Sequence, residues 1–134
     1  MLADYFRAAE AAAALCLAAL LVAFMPFRNV VRTAAWRGAA IPRGDPGAAA
    51  EKAVLAIDRA ARRLPFRLVC IQRSLALQWM LRRRGHPAQL HYGILNERDR
   101  LSAHVWVSLA GQILIGEAGA ATHACVTTIP AHPL

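Results

Sequence analysis

Residues 70–109, CIQRSLALQWMLRRRGHPAQLHYGILNERDRLSAHVWVSL, change their hydrophobic period part-way along. In the first part Ile71, Leu75 and Trp79 step by four, and Leu77, Met80 and Leu81 widen the apolar stripe, so 70–84 reads as an amphipathic helix. Arg82–Arg84 suit the negative end of its dipole as a solvated helix end, and Gly85 suits the left-handed position that follows. Beyond Gly85 the period becomes two. Residues 88–95 read as a strand and NERDR (96–100) as a polar turn. In 101–109, Leu101, Ala103, Val105, Val107 and Leu109 share one face, while Ser102, His104, Trp106 and Ser108 share the other. Ala110-Gly111 reads as a two-residue hairpin loop and QILIGE (112–117) as the partner strand. The Ala/Thr/Pro-rich tail, 118–134, reads as irregular.

Upstream, 48–63 is a second amphipathic helix with Ala53, Leu55, Ile57 and Ala60 inside, and Leu64-Pro65 ends it because the residue before proline avoids the α region. Residues 27–41 place Val30, Val31, Ala34 and Ala35 against Arg28, Arg32 and Arg37 at helical spacing, and IPRGDPG (41–47) is a loop. That loop divides an N-terminal helical arm, 1–47, from a core, 48–134. Helices followed by an antiparallel sheet make an α+β fold.

The uncharged run 11–25 is shorter than the roughly 20 residues that span a bilayer. It fits a core or partner-docking helix. The other two readings are a membrane contact and a secretion signal, and Asp4 and Glu10 offset the basic start that a signal requires. Sixteen Lys+Arg against eight Asp+Glu, almost all the bases arginine, leave a net charge of +8. Such a balance suits an acidic partner or records an arginine-rich composition. RRRG (82–85) lacks alternating aromatics, so no nucleic-acid partner is expected. Three widely spaced cysteines without a CxxC argue against a disulfide framework or zinc knuckle, and point to a reducing cytoplasm. His86, His91, His123 and His132 show no ligand spacing with Cys70 or His104, so neither a metal nor another cofactor is expected.

Of the three cysteines, Cys16 lies in the apolar run, where a thiol is an inert small hydrophobe, and Cys125 lies in the tail. Cys70 opens a helix, whose unpaired N–H groups and positive dipole end favour a thiolate. His104 sits mid-strand. If Ala110-Gly111 is the loop, Leu109 faces Gln112, Ser108 faces Ile113, and counting on, His104 faces Glu117. A carboxylate beside the imidazole is the orienting member of a nucleophile–base–acid set. Asp99, in the preceding turn, is the other acid within reach. Trp106 shares the His104 face and would flank a cleft there.

Cysteine, histidine and acid in that order, on a helix start and adjacent strands, follow the papain/transglutaminase layout. RRLPFR…C (62–70), ALQWMLRRRG (76–85), L-x-Y-G-I (90–94), AHVWV (103–107) and LIGE (114–117) together resemble the leader peptidase (B component) of lasso-peptide biosynthesis, a transglutaminase-like cysteine peptidase. The resemblance covers about 50–117. It implies a hydrolase that removes the leader from a ribosomally made precursor, with Cys70 as nucleophile and His104 as base. The family's acid is usually Asp, whereas the nearby acid here is Glu117. The first 47 residues do not resemble that family's leader-recognition domain, so the resemblance implies a separate recognition protein and an ATP-dependent cyclase as partners. The same scaffold also serves acyltransferases and amidases, and a catalytically idle, membrane-associated binding module is the further alternative.

Overall fold

The computed structural model describes residues 2–36, 38, 41–116 and 124–129. Helix α1 (Leu2–Phe24) ends ahead of Pro26; α2 (Phe27–Arg32) runs into a 3-10 turn at Thr33–Ala35; α3 spans Pro46–Arg63 and α4 Cys70–Arg83. The strands are β1 (Gln89–Glu97), β2 (Arg100–Leu109), β3 (Gln112–Ile115) and β4 (Ala124–Ile129), in one antiparallel sheet of order β3-β2-β1-β4. The α+β architecture read from the sequence is therefore the observed one.

Helix α4 is the centre. It packs against α1, α3, β1 and β2, which is why an amphipathic reading describes it poorly. Leu75, Leu77, Met80 and Leu81 are buried, and so are Ser74, Gln78 and Arg82, spaced by four on one side. These polar groups serve the backbone of the surrounding elements. Gln78 Nε2 donates to the carbonyls of Ala34 (2.7 Å), Ile129 (3.0 Å) and Ala88 (3.2 Å). Arg82 donates from Nε to Ala88 and from Nη1 to Trp36, each at 3.0 Å. Buried backbone carbonyls require such partners. The arginine run is accordingly not a solvated helix end: Arg82 is 1% exposed, and Arg84 and Arg83 both reach Glu10 of α1.

Helix α1 lays Ala11, Leu15 and Ala18 on α3 and α4. Its opposite side is bare. Leu17, Leu20 and Phe24 are exposed, and the helix is long and apolar enough to cross a membrane by length and composition. In α3, Asp45 caps the N-terminus through the Ala48 N–H (2.9 Å) with Pro46 at the first position. Ala50, Ala53, Ala56, Ile57 and Ala60 face inward, but Leu55 is 49% exposed. A periodic count over an alanine-rich helix tolerates either placement of Leu55, and packing decides it.

Three further differences from the sequence reading concern backbone. The 27–41 stretch stops being helical at Trp36, where the chain turns extended. The NERDR turn contracts to Arg98-Asp99, both at positive φ, so β1 runs on to Glu97. The tail is not irregular throughout. Residues 124–129, rich in β-branched side chains, form β4 and pair with β1. Pairing with β1 is a long-range choice that the local Ala/Thr/Pro composition obscured.

Candidate active site

Cys70 is the first residue of α4, after the extended Val69. Its backbone N–H belongs to the first turn, which has no intrahelical acceptor. Gln72 has a definite structural task. Its Oε1 accepts the Val69 N–H at 2.9 Å, which fixes the chain as it enters the helix. The Cys70 side chain is half-buried against the core.

One turn on, the Ser74 hydroxyl donates to the Val105 carbonyl of β2 at 3.4 Å. This contact registers the start of α4 against the strand that carries His104. Val105 lies beyond the end of β3, whose last pair is Ile115 with Val107. Gly116 follows at φ +83°. A Cβ built there would lie 3.1 Å from the Val105 carbonyl oxygen, 3.1 Å from His104 Nε2 and 2.8 Å from Trp106 Cβ. The Val105 carbonyl thus joins the Ser74 turn of α4 to Gly116, and the His104 imidazole approaches the same glycine; Cys70 Sγ makes no hydrogen bond to His104 among the described residues. Any side chain at 116 would displace the imidazole or the strand. Gly116→Ala is expected to cost about 1–3 kcal/mol through its positive φ and these overlaps. It should also lower any activity that depends on His104 at least tenfold in protein that still melts cooperatively; unchanged melting and turnover would contradict this.

Val105, Val107 and Leu109 pack into the helical core, whereas His104 and Trp106 leave β2 on the other face. There Trp106 is buried between two imidazoles, stacked 5.6 Å from His91 and 6.3 Å from His104. Trp106 and His104 therefore share one face of β2, and His91 stacks on Trp106 as well. The sequence weighed His91 only as a metal ligand, because its partner follows only from the β1–β2 register, in which it opposes Trp106. Its Nε2 lies 2.6 Å from Ser108 Oγ and its Nδ1 2.9 Å from Thr128 Oγ1. Hydroxyls can donate or accept, so either neutral tautomer is satisfied.

Burial lowers the His91 pKa from its ordinary value. The unfolded chain then binds the proton first. Stability is expected to fall as pH drops below about 6.5, the ordinary histidine value. Urea midpoints from pH 7.5 to 5 check this, and His91→Gln should flatten part of the slope.

The acid stands differently. The pairs Leu109–Gln112 and Ser108–Ile113 are as counted from the hairpin loop, but a bulge at Leu114 then sets Val107 opposite Ile115. The counted register is thereby shifted by one at Ile115, where β3 ends. Glu117 itself lies outside the described residues. Asp99 is in the exposed turn at the far end of β2. Of the other thiols, Cys125 is exposed on β4 with its Sγ 3.7 Å from Thr128 Oγ1, and Cys16 is part-buried on α1. Among the described residues no group of three His, Cys, Asp or Glu side chains could hold a metal.

A transglutaminase-like superfamily model matches residues 11–129. The chain belongs to the transglutaminase-like superfamily. The match begins within α1 and ends on the last residue of β4, so it includes the helical arm as well as the helix–sheet unit of Cys70 and His104. Comparison with curated proteins and with solved structures gave no match. Membership in this superfamily agrees with a helix-borne cysteine ahead of a small antiparallel sheet, and with an enzyme of the cysteine peptidase or acyltransferase type.

Proposed function

We propose that the protein is a cysteine peptidase that removes the leader from a ribosomally made lasso-peptide precursor. It would act with a separate leader-recognition protein and an ATP-dependent cyclase. The observation that carries the chemical part is the placement of Cys70 at the start of α4, whose next turn is tied through Ser74 to the Val105 carbonyl, next to His104 in β2. The sequence resemblance over about 50–117 supports the choice of substrate.

In the proposed reaction His104 takes the Cys70 proton, and the thiolate attacks the carbonyl at the leader–core junction. The Cys70 N–H stabilises the oxyanion. The C–N bond breaks, His104 returns the proton to the core amine, and the leader stays on sulfur as a thioester. Water activated by His104 then hydrolyses the thioester and frees the thiol. Glu117 is proposed to orient His104.

Mass analysis of a cognate precursor incubated with the protein tests this. Hydrolysis predicts a leader with a free carboxylate and a core with a free amine, together one water heavier than the precursor. A leader joined to an added amine would instead establish an acyltransferase, and no turnover would overturn the enzymatic reading. We place the enzyme in the cytoplasm, supported by free thiols at Cys16, Cys70 and Cys125. The bare Leu17, Leu20 and Phe24 favour a membrane contact through residues 11–25 as a second feature. Replacing these three with glutamine should release the protein from a membrane fraction if that contact exists.

A further inference from the structure

Between α3 and the outer edge of β3 lies a groove of about 830 Å³. Its larger apolar lining residues are Val54, Leu55, Ile113 and Leu114, and the outward turn of Leu55 in α3 belongs to it. Strand β3 is the end of the sheet, so the outward N–H and C=O groups of Gln112–Ile115 have no strand beside them among the described residues. Such an edge is a template for one more strand.

The charge around the groove is inverted relative to the whole. The protein carries +8, yet the titratable residues lining the groove, Asp45, Glu51 and Asp58, are all acidic. Asp45 caps α3, and Asp58 pairs with Arg62 and with Arg73. Glu51 is exposed and makes no ion pair among the described residues. Lys52 and Arg59, on the same helix, line other hollows. The groove also leads to the site. Asp58 reaches Arg73, which lies three residues after Cys70, and β3 runs directly into Gly116 beside His104.

We propose that this groove seats an extended peptide segment bearing basic and apolar side chains, added as a fifth strand on β3, and that it delivers the following peptide bond to Cys70. Main-chain hydrogen bonds to β3 supply affinity, and Glu51 with the Val54–Leu55 surface selects alternate side chains. A second copy of this chain would set acid against acid across the groove and is disfavoured for that reason. The proposal rests on the peptidase reading for the delivery step, but the binding itself does not require catalysis.

The test uses full-length Cys70→Ala protein, so that the probe survives. A fluorescent Val-Lys alternating decamer is titrated by anisotropy beside a Val-Glu decamer and a Val-Lys decamer N-methylated at alternate amides. Backbone NMR shifts report where each binds. The proposal expects the cationic peptide to bind at least tenfold tighter than either control, with shifts and slowed amide exchange at Gln112–Ile115. Glu51→Lys should weaken it about three- to tenfold, and salt should weaken it further. Equal binding of the acidic or N-methylated peptide, shifts confined to other elements, or a dimer that peptide does not dissociate would each overturn it. Peptide bound at β3 by Cys70→Ala, with no hydrolysis of a precursor by the wild type, would remove the peptidase reading and leave the groove standing. Full processing by a Glu51→Lys protein that shows no β3 binding would remove the groove alone.

Discussion

Cys70→Ala is expected to abolish the proposed leader removal, by at least about 10⁴-fold, with the melting temperature changed by only a few degrees. The magnitude follows from the chemistry. Without the sulfur there is no thioester, and water must attack the scissile carbonyl unaided. The fold should tolerate the change, because Cys70 is half-buried at a helix start whose entry is held by the Gln72–Val69 hydrogen bond and whose next turn is held by Ser74. His104→Ala should cost a similar factor, and the double variant little more than either single one, because groups acting as a unit are not additive. Precursor turnover followed by mass spectrometry measures all three. Retained processing in Cys70→Ala would assign the nucleophile elsewhere, and an additive double variant would uncouple the pair.

The largest effect on stability is expected at Arg82. This side chain is 1% exposed, carries a charge, and is matched by carbonyls rather than by a carboxylate. Burial pulls its pKa down, yet a guanidinium starts far enough above neutrality to stay charged. It joins the end of α4 to the Trp36 carbonyl of the incoming chain and the Ala88 carbonyl of the chain leaving for β1. The incoming chain is drawn close there: a Cβ on Gly38 would lie 2.0 Å from the Arg82 carbonyl oxygen. Arg82→Ala leaves a cavity, strips the Trp36 carbonyl of this donor and leaves the Ala88 carbonyl only its 3.2 Å bond from Gln78, at a cost of about 3 kcal/mol. That corresponds to a loss of about 10 °C in melting temperature for a domain of this size. Arg82→Lys should recover less than half, since one ammonium cannot reproduce the forked geometry. Arg83→Ala, at an exposed residue paired with Glu10, should change stability by less than about 1 kcal/mol. Equal effects at 82 and 83 would contradict the assignment.

The contrast between these arginines shows what the sequence could disclose. Period and punctuation located α3, α4 and the β2–β3 hairpin, because Ala110-Gly111 and Gly85 are local signals that tertiary structure did not override. Burial of Ser74, Gln78 and Arg82 was illegible, since a polar stripe at a spacing of four reads as a solvent face until β1, β2 and the Ala34–Trp36 turn close over it. The β4 strand was hidden in the same way, its identity resting on a partner 30 or more residues away in the chain. At the site, Cys70 stood out because a helix start is visible in sequence. The register counted from the hairpin loop holds only to Ile113, because a single bulge at Leu114 moves the next pair, Val107–Ile115, by one residue and leaves no mark in composition. The roles of Gly116 and His91 were missed for the same reason: they exist only once the strands are in register.

The account turns on Cys70 being the activated thiol and His104 its base, and the three free cysteines allow a direct test. Protein is alkylated with a limiting amount of iodoacetamide at pH 7, and the modification of Cys16, Cys70 and Cys125 is followed by peptide mass spectrometry. Exposure alone would make Cys125 the fastest, since it is exposed and Cys70 half-buried. The account predicts that Cys70 reacts fastest, and that His104→Ala slows Cys70 severalfold without affecting the other two. Cys125 reacting first, with Cys70 indifferent to His104→Ala, would contradict it.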